Sequence, residues 1–290
     1  MVVNTGILAG KTVFITGASR GIGKAIALKV AADGANVVIA AKTDKPHPKL
    51  PGTIYTAAEE VIAAGGKALP CICDVRFEDQ VKAAVKKTID TFGGIDIVIN
   101  NASAISLTTV ENTDMKRFDL MHQINTRGTF LVTKECLPYL KKSNHAHVVI
   151  LTPPVIAKGA VLSGKIAYTI AKYGMGLCTL GMSEEFKQYG IAVNGLWPRT
   201  IIWTKAVEVT RGSKFFDYSR TPEIMADATY AIISKPPSAR TGQIFIDDEI
   251  LKTEGITDLS KYRCNPKVDE KQLSILTTEE NGFVNMVAKL

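Results

Sequence analysis

The chain has 290 residues, of which 46% are hydrophobic and 22% are charged. This ordinary composition excludes a disordered or collagen-like chain, and no apolar run approaches the roughly eighteen residues that a membrane span requires. Lys and Arg exceed Asp and Glu by 35 to 28, a net charge of +7, but the basic residues form no block. We therefore interpret the charge as a solvated surface and expect no nucleic-acid partner.

Short β-branched runs alternate with amphipathic segments along most of the chain. The predicted strands are Thr12–Thr16, Asn36–Ala41, Ala68–Ile72, Ile95–Asn100, His147–Thr152, Ile191–Leu196 and Gln243–Asp247. The predicted helices lie at residues 22–33, 54–64, 77–92, 114–141, 164–189 and 221–234. Strict alternation predicts an α/β fold with a doubly wound, parallel, seven-stranded Rossmann-type sheet in a single domain, residues 1–255.

Three segments interrupt this alternation. Residues 42–53 contain three prolines and no periodicity, so they predict a loop, and residues 197–220 predict a longer loop. Residues 256–290 are polar and predict a C-terminal tail rather than a second domain. The five cysteines are odd in number and scattered, so we expect reduced thiols in an intracellular protein and no metal site.

The first predicted strand runs directly into a glycine-rich segment, GASRGIG. Gly17 permits a tight turn, Gly21 lets the backbone approach a pyrophosphate, and Gly23 lets the following helix pack closely. The N-terminus of that helix offers free N–H groups to phosphates. A glycine-rich turn without a ligand is the alternative, but the position between strand and helix favours a dinucleotide. The predicted cofactor contacts are Gly17, Ala18, Ser19, Arg20, Gly21, Ile22 and Gly23.

The end of the second predicted strand indicates which dinucleotide binds. An acidic residue there would hold the ribose 2′-hydroxyl of NAD, but this strand ends in Ala40-Ala41-Lys42. Lys42, with Arg20 nearby in the glycine loop, is suited to a 2′-phosphate. The sequence therefore predicts NADP(H); the alternative is that Lys42 only solvates a loop.

Tyr168 and Lys172 are four residues apart and so share one face of a predicted helix. An unperturbed phenol has a pKa of about 10, and a neighbouring ammonium favours its ionised form. Because the pair follows the fifth strand and faces the glycine loop, it predicts a phenol that exchanges a proton with a substrate.

Several motifs together resemble the short-chain dehydrogenase/reductase family. They are residues 17–23, Asp74 after the third strand, Asn100-Asn101-Ala102-Ser103 after the fourth, Asn125, and Tyr168 with Lys172, in the family's order over residues 9–250. The resemblance implies that Tyr168 donates or accepts the proton and that Lys172 lowers its pKa and binds the nicotinamide ribose. It also implies that Asn125 holds a water, that Asp74 contacts the adenine and that the backbone of Asn101 approaches the adenosine ribose.

The sequence departs from the family's pattern after the fifth strand. Where the family has a serine that hydrogen-bonds the substrate oxygen, this chain has Pro153, which carries no donor. Either Thr152 or Ser163 supplies the hydroxyl, or the stabilisation of the oxyanion is partly missing. We therefore expect an NADP(H)-dependent oxidoreductase, with a cofactor-binding regulatory or scaffold protein of little turnover as the alternative. Arg199 and Asp247-Asp248-Glu249 also depart from the pattern and are expected to reshape the nicotinamide side.

The 197–220 segment is rich in aromatic residues: Trp197, Trp203, Phe215, Phe216 and Tyr218. In the family this region is the substrate lid, so the resemblance favours a fatty-acyl, steroid-like or other lipid carbonyl as substrate. The rings are equally consistent with pinning the lid to the core.

The last three residues, Ala288-Lys289-Leu290, keep the small–basic–leucine pattern of a peroxisomal signal, which an import receptor reads. We expect a peroxisomal location, with the cytosol or mitochondrion as alternatives. Several segments resemble a peroxisomal family member with a C-terminal sterol-carrier domain, for which this chain has too few residues. The family resemblance also implies a homodimer or homotetramer formed through helices 114–141 and 164–189.

Overall fold

Seven parallel strands form the centre of the molecule. The computed structural model describes residues 1–48, 50–278 and 282–283. The strands are β1 (Thr12–Thr16), β2 (Asn36–Ala41), β3 (Lys67–Ile72), β4 (Ile97–Asn100), β5 (His147–Leu151), β6 (Ala192–Trp197) and β7 (Ile244–Ile246), followed by a short antiparallel pair, β8 (Thr277–Thr278) and β9 (Gly282–Phe283). The sheet order is β3-β2-β1-β4-β5-β6-β7. The predicted doubly wound α/β fold is confirmed.

Helices cover both faces of the sheet. They are α1 (Gly21–Ala31), α2 (Ile54–Ala63), α3 (Glu78–Phe92), α4 (Met115–Met121), α5 (Gly128–Leu140), α6 (Gly159–Leu162), α7 (Ile166–Phe186), α8 (Lys205–Arg211), α9 (Glu223–Ile233) and α10 (Asp247–Thr253). α1, α2 and α9 pack on one face, and α3, α5 and α7 pack on the other. Across the described part of the chain, no helix combines the length and apolarity needed to cross a membrane.

Alternate side chains of each strand enter two different cores, because neighbouring residues of a strand point to opposite faces. Val13 and Ile15 join the core beneath α1 and α9, whereas Phe14 joins the core beneath α3 and α5. Every residue of β1 is buried, which explains why the strand is apolar without a polar face. The carboxyl ends of β1 and β4, where the strand order reverses, therefore form the crevice in which such sheets bind ligands.

Two predicted elements differ from the observed ones. The 197–220 segment, predicted as a loop, contains α8, whose N-terminus is capped by Thr204 Oγ1 accepting from the Val207 amide. The predicted helix 114–141 is divided into α4, a π-helical turn at His122–Arg127, and α5. The π turn inserts extra backbone in mid-helix, which apolar periodicity does not reveal.

Part of the predicted tail packs against the domain. Leu259, Tyr262, Leu273 and Leu276 are buried, and the Tyr262 hydroxyl donates to Asp227 at 2.5 Å. These four apolar side chains, spaced among polar residues, are enough to hold the segment against the domain. The polar average composition of the segment therefore did not indicate that it packs. The part of the predicted tail at residues 279–281 and 284–290, which includes the expected import signal, lies outside the described residues.

Candidate active site

The glycine-rich segment forms a tight turn between β1 and α1. Gly17 and Gly21 have φ angles of 68° and 57°, in the left-handed region that favours glycine. A Cβ atom on Gly23 would lie 2.6 Å from the carbonyl oxygen of Gly17 and 2.5 Å from Asn101 Nδ2. The first two positions therefore need glycine for conformation, and position 23 needs it for space.

The N-terminus of α1 opens onto this turn. Its N-cap residue, Arg20, makes no side-chain capping bond, and the first turn holds no acidic residue. The terminal amides and the positive end of the helix dipole are thus available to an anion. Arg20 Nη2 donates instead to the carbonyl oxygen of Gly52 at 2.9 Å, which holds the 42–53 loop beside the turn. These residues fit the pyrophosphate of a dinucleotide.

Asn101 ties the glycine turn to the end of β4. Its Nδ2 donates to the carbonyl oxygens of Thr16 at 2.9 Å and Gly17 at 3.2 Å. Its backbone N–H donates to Thr16 Oγ1 at 3.0 Å. The family resemblance implied only that this backbone approaches a ribose, and the structure shows that the side chain also holds the turn in place.

Two adjoining clefts run along the carboxyl edge of the sheet. The first, here called the β2 cleft, has a volume of about 250 Å³ and is lined by residues that include Gly17, Ser19, Arg20, Lys42, Asp74 and Ser103. The second, the lid cleft, measures about 290 Å³ and is lined by residues that include Ile22, Asn101, Ser103, Tyr168, Lys172 and Arg211. Ser103 lines both clefts, so they meet at this residue. Ala18 lies in the core beneath the turn.

The β2 cleft is dominated by positive charge. Asp74 makes a bidentate pair with Arg76, with Arg76 Nη2 donating to Asp74 Oδ2 at 2.6 Å. Burial raises the pKa of Asp74, but the hydrogen bonds from Arg76 outweigh it, and the Lys42 charge adds to them, so the pKa lies below its usual value. Because Arg76 neutralises this carboxylate, Lys42 and Arg20 are left to set the sign of the field in the cleft.

Tyr168 lies in the lid cleft, on α7. Its hydroxyl is hydrogen-bonded to the side chain of Ser103, and only 5% of the residue is exposed. Burial raises the pKa of Tyr168, whereas the Ser103 hydrogen bond and the nearby positive charge of Arg211 each lower it. Burial outweighs both, so the pKa of Tyr168 lies above its usual value and the phenol is protonated at neutral pH.

Lys172 lies one helical turn after Tyr168 and lines the same cleft. Its Nζ donates to the carbonyl oxygen of Leu151 at 2.7 Å and lies 5.4 Å from the centroid of the Trp197 ring. Burial lowers the pKa of Lys172 to about 7. Because burial disfavours the charged ammonium of Lys172, a negative charge or a hydroxyl that binds beside it would stabilise that charged form.

The two hydroxyls expected in place of the missing serine lie elsewhere. Thr152 is fully buried, and its Oγ1 donates to the carbonyl oxygen of Lys172 at 3.0 Å, which holds α7 against β5. Ser163 is exposed at the end of α6. Neither is among the residues that line the two clefts. The hydroxyl that meets Tyr168 is Ser103, which the sequence analysis quoted only as the last letter of a motif.

Asn125 is fully buried in the π-helical turn. Its Oδ1 accepts from the Ala104 amide at 2.8 Å, and its Nδ2 donates to the Ala104 carbonyl oxygen at 2.9 Å. The side chain therefore fixes the loop that carries Ser103. A water held by Asn125 remains a prediction.

The lid cleft is mostly apolar, but aliphatic side chains supply more of its wall than aromatic ones do. Of the five aromatic residues in the 197–220 segment, Trp197 lines the cleft, whereas Trp203 and Phe216 pack edge to face at 5.5 Å from each other. Ile105, Ile202 and Val207 contribute instead. The expectation of a densely aromatic substrate lid is therefore not met.

Two lining residues of the lid cleft were missed by the sequence analysis. Arg211 is the last residue of α8, in a segment predicted as a loop, and Leu276 comes from the predicted tail. No local motif marks either residue, because α8 and the C-terminal segment reach the cleft only through tertiary packing. The Leu276 amide donates to the Arg199 carbonyl oxygen at 2.7 Å, which seats the C-terminal segment at the cleft.

The two segments that depart from the family's pattern, at Arg199 and at residues 247–249, form hydrogen bonds and ion pairs with each other. Arg199 Nε lies 3.1 Å from Asp248 Oδ1, its Nη2 pairs with Glu249, and its backbone N–H donates to Asp247 Oδ1 at 2.8 Å. Burial raises the pKa of Asp247 to about 6. The departures at residue 199 and residues 247–249 therefore form one ion-pair cluster that joins the end of β6 to α10.

Comparison with known proteins agrees with this geometry. Residues 11–212 match the family model described as short chain dehydrogenase. The chain is 64% identical over 266 residues to hydroxysteroid dehydrogenase-like protein 2 of Xenopus tropicalis and 59% identical to the human protein of that name, covering 92% of this chain in each case. A crystal structure of a short chain dehydrogenase from Mycobacterium thermoresistibile is 49% identical, with a TM-score of 0.87 over 92% of this chain and 94% of that one.

The match to the curated relatives is partial on their side. This chain spans 63% of the length of the Xenopus tropicalis and human proteins. Among more distant structures of this fold, one is bound to NAD and another is in complex with NADP, so the fold accommodates either nucleotide.

Proposed function

Because the chain belongs to the short-chain dehydrogenase/reductase family, we propose that it is an NADP(H)-dependent oxidoreductase that interconverts a carbonyl and an alcohol on an apolar substrate. One observation carries the proposal: Tyr168 and Lys172 line a cleft that meets the glycine turn's cleft at Ser103. A proton donor and a dinucleotide-binding turn are thus adjacent, as the transfer of a hydride and a proton to one carbonyl requires.

The charge in the β2 cleft supports NADP(H) over NAD(H). Lys42 rather than a carboxylate directly follows β2, and Asp44, two residues later, is not among the residues that line the cleft. The carboxylate that does line it, Asp74, is engaged by Arg76. Lys42 and Arg20 line the cleft beside it, where a 2′-phosphate would gain charge-assisted hydrogen bonds.

The residues of the lid cleft divide the proton chemistry among them. A bound nicotinamide supplies or accepts the hydride at the substrate carbon. In the reduction direction, Tyr168 gives its proton to the substrate oxygen as that oxygen gains negative charge. Ser103, hydrogen-bonded to the phenol, is the hydroxyl in place to share this role. Lys172, which lines the same cleft, would in its protonated form favour the resulting phenolate. Pro153 therefore does not leave the site without a second hydroxyl.

The experiment is the substitution Tyr168→Phe, assayed with NADPH and a panel of apolar ketones and aldehydes. We expect kcat to fall by roughly 10²- to 10⁴-fold, the usual contribution of a positioned proton donor, while the Kd for NADPH stays unchanged. The matched control is Tyr173→Phe, which removes a hydroxyl from the same helix that is bonded to the Ile156 carbonyl oxygen at 3.0 Å. Equal, measurable turnover by the wild type and Tyr168→Phe would reject Tyr168 as the proton donor. NADPH binding without turnover of any substrate by the wild type would favour the cofactor-binding protein instead.

A further inference from the structure

A half-buried arginine lies at the reacting end of the lid cleft. Arg211, at the C-terminal end of α8, lines the same cleft as Tyr168 and Lys172. Its guanidinium is close enough to the phenol for its positive charge to act on Tyr168. A cation is therefore positioned near the point where the substrate carbonyl is expected, not at a distant rim.

This cation has no anionic partner among the described residues. The other charges on α8 are already matched, since Lys205 Nζ lies 2.8 Å from Glu208 Oε2. The guanidinium carbon of Arg211 lies 5.8 Å from the centroid of the Phe215 ring, which is uncharged. Burial lowers the pKa of Arg211, which reflects the cost of keeping it charged there. A partly desolvated guanidinium that has no anionic partner is stabilised when an anion binds it.

The walls around Arg211 describe the rest of the ligand. Ile105, Ile202, Val207 and Leu276 line the lid cleft, so the body of the ligand is apolar. A planar guanidinium binds a carboxylate through two parallel hydrogen bonds. The combination fits a molecule with an apolar chain, one carbonyl and one carboxylate near that carbonyl.

We propose that Arg211 binds the carboxylate of the substrate and that the enzyme prefers oxo acids with an apolar chain, or the matching hydroxy acids in the reverse direction. This inference rests on the proposed function, because it names the substrate class of the same site. The carboxylate itself is unchanged in the reaction: the oxo carbon gains the hydride that NADPH, the proposed cofactor, would supply, its oxygen gains the proton of Tyr168, and the products are a hydroxy acid and NADP⁺.

The test compares γ-oxodecanoate with its methyl ester as substrates of the wild type and of Arg211→Gln. We expect the substitution to lower kcat/KM for the acid by roughly 10- to 100-fold, since a charge-assisted pair contributes ~1.5–3 kcal/mol, and to change that for the ester by less than about threefold. Arg211→Lys retains the charge without the bidentate geometry, so we expect an intermediate value for the acid.

Lys214→Gln is the matched control. It removes the same charge from the same lid, and Lys214 also contacts the Phe215 ring, at 5.6 Å, but it is not among the residues lining the cleft. The proposal would be overturned if the ratio of kcat/KM for the acid to kcat/KM for the ester were unchanged in Arg211→Gln. It would also be overturned if Lys214→Gln lowered kcat/KM for the acid as much as Arg211→Gln does. A parallel loss of NADPH affinity in Arg211→Gln would overturn it as well, because the arginine would then serve the cofactor.

A binding measurement separates this proposal from the proposed function. Calorimetric titration with decanoate and with decanol measures binding without turnover. We expect the wild type to bind decanoate more tightly than decanol, and we expect Arg211→Gln to show no such preference. If no carbonyl is reduced while this difference persists, the catalytic proposal fails and the anion site stands. If carbonyls are reduced and the difference is absent, the anion site fails and the catalytic proposal stands.

Discussion

Lys42 is one of the two side chains on which the proposed preference for NADP(H) depends. It is exposed at the end of β2 and lines the β2 cleft, where families that use NAD place a carboxylate. The neighbouring Asp74 is paired with Arg76, so it does not oppose a phosphate. We therefore expect the preference between the two nucleotides to depend on Lys42 and Arg20 together rather than on the shape of the turn, which suits both nucleotides.

Substitution of Lys42 by Ala is expected to weaken NADPH binding by roughly tenfold and to leave NADH binding unchanged, because only NADPH carries the 2′-phosphate. Fluorescence titration of the two reduced nucleotides measures both values of Kd. Lys45→Ala serves as the control, since Lys45 is an exposed lysine of the same loop that is not among the residues lining the cleft. Tighter binding of NADH than NADPH by the wild type would contradict the assignment.

Helix α7 presents two different faces. One face carries Tyr168 and Lys172 toward the cleft, and the other exposes Ile170, Leu177 and Leu180. Phe130 on α5 is also exposed, at 54%. Apolar side chains that recur at helical spacing on neighbouring helices mark an association surface more often than isolated exposed residues do. The predicted contact through residues 114–141 and 164–189 agrees with this surface, and the oligomer itself stays a prediction.

Leu177→Glu is expected to convert the protein to a smaller species in light scattering at micromolar concentration, because it places a charge in the expected contact. Ile62→Glu on α2 is the control: both residues are 60% exposed, so the two variants add the same charge to equally open positions. A monomeric wild type would refute the expected assembly, and equal masses for the wild type and Leu177→Glu would exclude this face as its interface.

The folded protein as a whole holds His147 in its neutral form. The residue lies at the start of β5, 1% exposed, with Nε2 3.1 Å from the Lys235 carbonyl oxygen. Burial lowers the pKa of His147 to about 3, and the His145 charge adds to the effect. An unfolded chain binds this proton below a pH of about 6.5, whereas the folded chain does not, so stability is lost as the pH falls through that window.

Denaturant unfolding at several pH values tests this account. Between about pH 6.5 and about pH 5, the free energy of unfolding of the wild type is expected to fall by about 2 kcal/mol more than that of His147→Gln, since each pKa unit of difference corresponds to ~1.4 kcal/mol. Glutamine retains an N–H donor for the Lys235 carbonyl. Parallel pH dependences of the two proteins would show that another group controls acid stability.

The peroxisomal location also stays a prediction, because residues 288–290 lie outside the described ranges. It depends on the Ala288-Lys289-Leu290 sequence alone and is tested by imaging the protein in cells with and without these three residues.

Much of the site follows from local sequence. Lys42 and Asp74 line the β2 cleft, and Tyr168 and Lys172 line the lid cleft. Gly17 and Gly21 form the turn between β1 and α1. Each lies directly after a strand or on the helix that follows one, so chain order and the parallel sheet together place them at one edge. Position after a strand could not identify the hydroxyl that replaces the missing serine, because Thr152 and Ser103 both follow strands and so are equally good candidates.

The sequence by itself determined the alternation of strands and helices and the conformational need for glycine at 17 and 21, and it singled out Tyr168 as the phenol that is proposed to donate the proton. These depend on short-range sterics and on a repeating hydrophobic pattern, which a linear chain displays directly. Only the tertiary structure decided that Ser103 rather than Thr152 meets Tyr168, that Arg211 and Leu276 reach the lid cleft, and that Arg199 pairs with residues 247–249. These contacts join segments far apart in the chain, and their geometry depends on how the helices pack on the sheet, which no local pattern specifies.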